Sequence, residues 1–285
     1  AIIADEKPGL EYILLPSHED CLKSKTQFGK HFVLIEENSN RLKAKGLIEP
    51  IKDKFVIVHP PYAPTSTEDL DRIYALPFTR LPHPRYNKKP PIPAYEMIRH
   101  SVTIHRGCFG GCSFCTISMQ QGRYIQSRSK NSILQEIEQI KQMHDFSGYI
   151  SDIGGPSANM YCMAPIDNKR CEKCKRPSCI YPSLCDNVNA SHKPLIGLYD
   201  KIEKSDGIKA AFVTSGIRYD LFLNEKGFLP SGREYFKKLV SKHISGRLKV
   251  APEHSSPRVL AIMRKPAFSL FLTLKTEYDK INAEA

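Results

Sequence analysis

The chain has 285 residues, 41% hydrophobic and 25% charged, enough apolar content to bury a core without covalent staples. No apolar run reaches the length of a membrane span, about 18 residues, and the start, Ala1-Ile-Ile-Ala-Asp-Glu-Lys7, lacks the basic and apolar parts of a secretory signal. A formal net charge of +12 and a pI of about 9.2 suit phosphate-bearing partners such as RNA as well as a merely solvated basic surface.

Residues 1–58 read as a small lead-in unit, and because the chain opens on Ala1 rather than Met it is expected to be a piece of something longer. Tyr12–Leu15 predicts a strand. Ser17-His-Glu-Asp20 resembles a capping box opening a helix, with Phe28, Phe32 and Ile35 on one face and Cys21 assigned to the core. Phe55–Val58 is a β-branched strand. Residues 59–100 are dense in proline and read as a wrapping segment with one helix, Thr67 to Tyr74.

Residues 101–285 alternate strands with helices. The strands are Ser101–Ile104, Gly148–Ile153, Ala210–Thr214 and Arg247–Ala251. The helices run from Ser129 to Met143 (Ile133, Ile137 and Ile140 on one face), Pro194 to Ile202, Ser231 to Lys242, Pro257 to Met263 and Phe268 to Ile281. This order predicts four parallel βα units. Sites in such sheets lie at the carboxyl ends of strands, and these strands run into Gly, Ser, Cys, Arg or Glu.

Cys108, Cys112 and Cys115 follow the first of these strands in the pattern C-x3-C-x2-C. Thiolate-rich sites take Fe–S clusters or zinc. Zinc sites usually pair their cysteines as C-x2-C twice over, whereas three thiolates on one Gly-rich loop can hold three irons of a [4Fe–4S] cube and leave the fourth open. A second group, Cys162, Cys171, Cys174, Cys179 and Cys185, lies in an insertion over 157–192 with little periodic apolar content, where a metal would supply folding energy. Its expected ligands are Cys171, Cys174, Cys179 and Cys185, with Cys162 in reserve, for an auxiliary Fe–S cluster or a structural zinc. Grouped cysteines without an export signal read as metal ligands in a reducing cytoplasm rather than as disulfides. His192 and His243 stand alone and are assigned structural roles.

Three strings around the first cysteines resemble the radical S-adenosylmethionine (SAM) superfamily, and within it the YgiQ type: Ser101-Val-Thr-Ile-His-Arg-Gly-Cys-Phe-Gly-Gly-Cys-Ser-Phe-Cys115, Gln121-Gly-Arg-Tyr-Ile-Gln-Ser-Arg-Ser129 and Gly148-Tyr-Ile-Ser-Asp-Ile-Gly-Gly-Pro156. Asp69–Tyr74, Leu76–Arg80, Ser215–Leu221 and Leu248–His254 continue the likeness. The resemblance implies an α/β fold, a partial (β/α) barrel of which the last strands lie outside this chain. It implies a [4Fe–4S] cluster on Cys108, Cys112 and Cys115 whose open iron chelates SAM. It also implies reductive cleavage of SAM to a 5′-deoxyadenosyl radical, with an electron donor such as flavodoxin or ferredoxin.

By the same resemblance the backbone near Phe114 faces the adenine and Gly154-Gly155 the SAM amino group; the superfamily's usual Glu is Pro156 here. Ser215 and Arg218 are expected at the ribose and carboxylate of SAM, Glu253 and His254 at SAM or substrate, and Asp152 with the least weight. The substrate is unidentified. The basic surplus, and the likeness of Val250–Leu260 with Met263-Arg264 to a stretch of methylthiotransferases, point toward RNA or a ribosomal component. The rival reading is a non-catalytic zinc-binding RNA-interaction module.

Overall fold

The computed structural model describes residues 1–9, 11–39 and 41–284. At the N-terminus, β1 (Ile2–Ala4), β2 (Tyr12–Leu14), β3 (Gly46–Ile51) and β4 (Lys54–Val58) form one sheet in the order β1-β4-β3-β2. β2 runs parallel to β3 because helices connect them, whereas β3 and β4 form an antiparallel hairpin.

The single helix expected after Ser17 is two, α1 (His18–Lys23) and α2 (Lys25–Ser39). Ser17 caps the first by accepting from the Asp20 N–H at 3.1 Å, as the sequence predicts. Ser24 is extended and accepts from the Gln27 N–H at 3.3 Å, so it starts the second helix instead of continuing the first. Two expectations fail here. α1 buries none of its residues, so Cys21 is not a core residue. Phe28 and Phe32 are 61% and 44% exposed, and Phe32 borders the cavity beside the Cys112–Cys115 loop rather than a closed core.

The Pro-rich segment carries α3 (Thr67–Tyr74), where expected, and α4 (Pro93–Ile98), which starts on the proline favoured at a first helical position. The core then begins with β5 (Ser101–Thr103). A short ribbon, β6 (His105–Arg106) against β7 (Gln126–Ser127), brackets the first cysteine loop and its small helix α5 (Ile117–Gln120). α6 (Lys130–Lys141) leads to β8 (Tyr149–Ile150) and β9 (Asp152–Gly154). The Cys-rich insertion holds β10 (Ala164–Pro165), α7 (Asn168–Glu172) and β11 (Val188–Asn189), with β10 and β11 antiparallel. Then come α8 (Lys193–Glu203), β12 (Ala210–Ala211), the hairpin β13 (Leu223–Asn224) with β14 (Gly227–Phe228), and α9 (Gly232–Lys242), α10 (Pro257–Met263) and α11 (Phe268–Glu284).

β5 pairs in parallel with β9, and β8 with β12. The strand expected over 247–251 is reduced to one parallel bridge, Val250 to Ile217. Its neighbour there is a loop rather than a strand, so no ladder forms. The result is an open arc of parallel βα units, and among the described residues no closed barrel is found.

The arc has two unlike faces. Val102, Ile104, Ile150, Ile153, Ala211 and Val213 are buried in one apolar cluster with α6, α8, α9 and α11; Ile133, Ile137 and Ile140 lie at its centre, fully buried. His192 and His243 also belong to this packing: the His192 ring lies 4.3 Å from that of Tyr235, and His243 Nδ1 is 2.7 Å from the Ala211 carbonyl. Ser101, Thr103, Asp152 and Gly154 alternate with the apolar strand residues and so occupy the other face.

One buried ion cluster joins the wrapping segment to this arc. Arg128, 1% exposed, pairs with Glu136, whose second oxygen pairs with Arg80. Arg128 also donates to the Thr103 carbonyl at 2.9 Å, and its guanidinium lies 4.1 Å from the centre of the Tyr74 ring. Glu136→Ala would leave two enclosed guanidiniums unpaired and is expected to cost about 3–5 kcal/mol. Urea unfolding measures this, and Glu136→Gln, which keeps an acceptor, is expected to cost less.

Candidate functional site

The loop from Gly107 to Gly122 is held on every side. The Cys108 N–H donates to the Gly122 carbonyl at 3.0 Å, closing its base. Gly111 has φ +61, and a side chain there would strike the Pro177 backbone, so glycine is required both by conformation and by close approach. Ser113 donates through its N–H to the Met263 carbonyl at 3.3 Å and through its hydroxyl to the Ile262 carbonyl at 2.7 Å. Arg264, in a left-handed conformation at the end of α10, pairs with both Glu36 oxygens and donates to the Gly111 carbonyl at 3.2 Å. The loop is thus clamped between α2 and α10.

The three thiols sit in different settings. Burial pushes the Cys108 thiol up, while the Gly110 N–H at 3.4 Å and the nearby Arg218 act against that shift. Cys112 Sγ accepts from Arg218 Nη1 at 3.0 Å. Cys112, Cys115 and Phe114 line one cavity of about 110 Å³; Phe114 is 53% exposed. Among the described residues no three His, Cys, Asp or Glu side chains are grouped so as to hold a single metal ion. The donor set nevertheless fits an iron–sulfur cluster: three thiols on one rigid loop, with an N–H and a guanidinium donating to their sulfurs.

A second cavity, of about 280 Å³, opens on the polar face of the arc at the carboxyl ends of its strands, lined by Thr103, Arg106, Asp152, Gly154, Gly155 and Ser215 among others. A Cβ on Gly154 would lie 2.5 Å from Ser215 Oγ and 2.8 Å from Asp152 Oδ2, and one on Gly155 would lie 2.5 Å from the His105 ring. The glycines therefore bring the backbone to the cavity wall where no side chain fits. Asp152 accepts from the N–H groups of Thr214 at 2.7 Å and Ser215 at 3.0 Å, and from the Ser215 hydroxyl. Burial lowers the His105 pKa to about 4, so its ring is neutral under the glycine turn. Gln121 also borders this cavity, and its Oε1 is buried without a hydrogen-bond partner among the described residues. A bound molecule carrying donors fits that acceptor.

The structure therefore gathers Gly154, Gly155 and Ser215 at one cavity and Phe114 with Cys112 and Cys115 at another. Arg218 lies beside the cysteine loop, held by Asp220 through Nε at 2.9 Å and a second bond from Nη2. Glu253 lines neither cavity; it has φ +66 and pairs at 3.4 Å with Lys265, which is buried. Cys171, Cys174, Cys179 and Cys185 line a common cavity, and Cys162, exposed, does not. Its N–H donates to Ser127 Oγ at 2.8 Å. Asp152, Arg264 and Lys265 carry structural duties that their sequence positions do not announce. For Asp152 the signal is its alternation with Ile153 at a strand end.

Among the described residues, no helix is long and apolar enough to cross a membrane. The Radical SAM N-terminal family matches residues 2–101, and the Radical SAM superfamily matches residues 102–274. A UPF0313 protein of Bacteroides thetaiotaomicron is 53% identical over 97% of this chain, and one of Porphyromonas gingivalis 51% over 93%. UPF0313 protein YgiQ of Escherichia coli K12 is 41% identical over 96%. The chain spans 45%, 42% and 36% of the lengths of these relatives. With its arc of parallel βα units and its cysteine loop inside the matched core, the chain belongs to the radical SAM superfamily.

Proposed function

We propose that this chain is the SAM-cleaving part of a radical SAM enzyme, with Cys108, Cys112 and Cys115 holding a [4Fe–4S] cluster. The observation that carries this reading is the pairing of a clamped three-cysteine loop with a polar cavity at the carboxyl ends of the strands. When cluster and SAM are bound, the chemistry supplied is reductive cleavage of SAM to the 5′-deoxyadenosyl radical. The chain's own residues position the reactants. Gly154 and Gly155 present backbone to the SAM amino group, Ser215 is oriented by Asp152, and Phe114 offers an apolar face beside the adenine. Arg218 donates to Cys112 Sγ, which stabilises a thiolate ligand.

The electron donor in this reading is a flavodoxin or ferredoxin, and the setting is the cytoplasm, whose reducing poise suits nine free cysteines. The substrate is an RNA or a ribosomal component, a choice supported by the net charge of +12. Membership of the radical SAM superfamily does not favour the non-catalytic zinc-binding module.

Any one of Cys108→Ala, Cys112→Ala or Cys115→Ala is expected to abolish dithionite-driven formation of 5′-deoxyadenosine in reconstituted protein, as followed by chromatography. Retained turnover would sink the assignment. Gly154→Ala places a methyl against Ser215 and Asp152. It is expected to weaken SAM binding at least tenfold, about 1.4 kcal/mol, at unchanged iron content, as measured by equilibrium dialysis. Ser215→Ala is expected to have a smaller effect in the same assay, because it removes one hydroxyl and fills no space.

A further inference from the structure

Four thiols outside the radical SAM motif surround one enclosed space. Cys171, Cys174, Cys179 and Cys185 line a cavity of about 110 Å³ together with Phe109 and Arg123. Backbone bonds set them out as two pairs: the Cys174 N–H donates to the Cys171 carbonyl at 3.3 Å, and the Cys185 N–H to the Cys179 carbonyl at 2.8 Å. Arg123 is 7% exposed. Its Nη1 donates to the Arg176 carbonyl at 2.9 Å, while Nε and Nη2 have no partner among the described residues. A buried guanidinium with idle donors beside four thiols calls for an anion. Asn187 already donates to Cys171 Sγ at 3.4 Å.

We propose that these four cysteines form a second metal centre that holds an iron–sulfur cluster, with Arg123 donating to its sulfurs. Four thiolates around an iron–sulfide core carry net negative charge, which supplies the missing partner for Arg123. Zinc is the competing metal. It would draw all four sulfurs to about 2.3 Å from one point and would leave the idle donors of Arg123 without the sulfide acceptors a cluster offers. With four protein ligands this cluster has no open iron, so its role is not to bind SAM or substrate.

The centre lies against the first cysteine loop. Phe109 borders the cavity, and its carbonyl accepts from the Cys179 N–H at 3.1 Å. The Gly110 carbonyl accepts from the Ser178 hydroxyl at 2.6 Å. Cys108 and Cys179 pack against the same apolar cluster, which includes Phe109, Met160 and Ile180. The insertion, poor in periodic apolar residues, thus takes its shape from the cluster and in that shape braces the SAM-cluster loop.

The assignment does not depend on the radical SAM reading, and one experiment separates the two. The whole chain is purified anaerobically, reconstituted with iron and sulfide, and compared with Cys108→Ala/Cys112→Ala/Cys115→Ala and with Cys171→Ser/Cys174→Ser/Cys179→Ser/Cys185→Ser. Expected iron contents are about eight per chain for the wild type and about four for each variant. The triad variant leaves the insertion intact and should keep its brown absorbance and its circular dichroism. Arg123→Leu should keep the iron and move the midpoint potential of the centre that survives in the triad variant to a more negative value. The proposal is overturned if the folded triad variant is colourless, if one zinc per chain replaces iron at the second site, or if Arg123→Leu leaves that potential unmoved. Absence of SAM cleavage in a wild type with about eight irons would count against the radical SAM reading alone.

Discussion

The buried carboxylate of Glu136 is the constraint on which the rest of the arrangement hangs. It is shared by Arg128 and Arg80, and Arg128 reaches the last residue of β5 through the Thr103 carbonyl. An ion pair this enclosed is held by geometry, because each charge left without its partner would be severely penalised. The wrapping segment, α6 and β5 therefore cannot shift independently. The cysteine loop begins at Gly107, four residues beyond Thr103. Fixing the end of β5 fixes the root of that loop, and the second anchor, Arg264 on Glu36 and the Gly111 carbonyl, fixes its tip.

Strand alternation then divides the work. Every second residue along β5 and β9 enters the apolar cluster with the helices, and the residues between face a polar cavity. The apolar side supplies rigidity through tight burial. The polar side supplies acceptors and donors whose positions are inherited from that rigidity. Asp152 shows the coupling: one side chain pins the Thr214 and Ser215 N–H groups and the Ser215 hydroxyl, so the third strand's end is set relative to the second. Gly154 is small because that ion-and-hydroxyl contact occupies the space a Cβ would need.

Much of this was legible in the sequence, for identifiable reasons. Ile133, Ile137 and Ile140 announce a buried helix by spacing alone, and the structure buries all three completely. The sequence left Cys162 in reserve beside Cys171, Cys174, Cys179 and Cys185, and only the folded chain shows that the latter four line one cavity without it. The failures share a cause: they turn on tertiary partners that local pattern does not encode. Phe28 and Phe32 have helical spacing, but spacing cannot say whether anything packs on the stripe. Val250 lies in a run with strand character, yet a strand needs a neighbour, and the segment around Ile217 offers one bridge. Ser24 accepts from the Gln27 N–H and divides the one helix expected after Ser17 into two, a break that apolar spacing does not encode. Only the folded chain brings Glu36 to Arg264 and Glu253 to Lys265, pairings that lie far beyond local pattern.

The two cysteine sites are linked by an electrostatic requirement. Thiolate-ligated clusters are anionic, and their potentials respond to nearby charge and to hydrogen bonds at sulfur. Buried arginines serve both: Arg218 donates to Cys112 Sγ, and Arg123 borders the other four thiols as well as the Cys112 and Cys115 cavity. The two arginines are not equivalent. Asp220 neutralises part of the charge of Arg218, whereas Nε and Nη2 of Arg123 have no hydrogen-bond partner among the described residues, although Glu36 acts on it by charge across the neighbouring cavity. The second site lies next to Phe109, one residue from Cys108, and shares the Arg123 wall with the Cys112, Phe114 and Cys115 cavity. No residue of the insertion lines the polar cavity at the strand ends, so a second centre there leaves that cavity open to the ligand proposed for it.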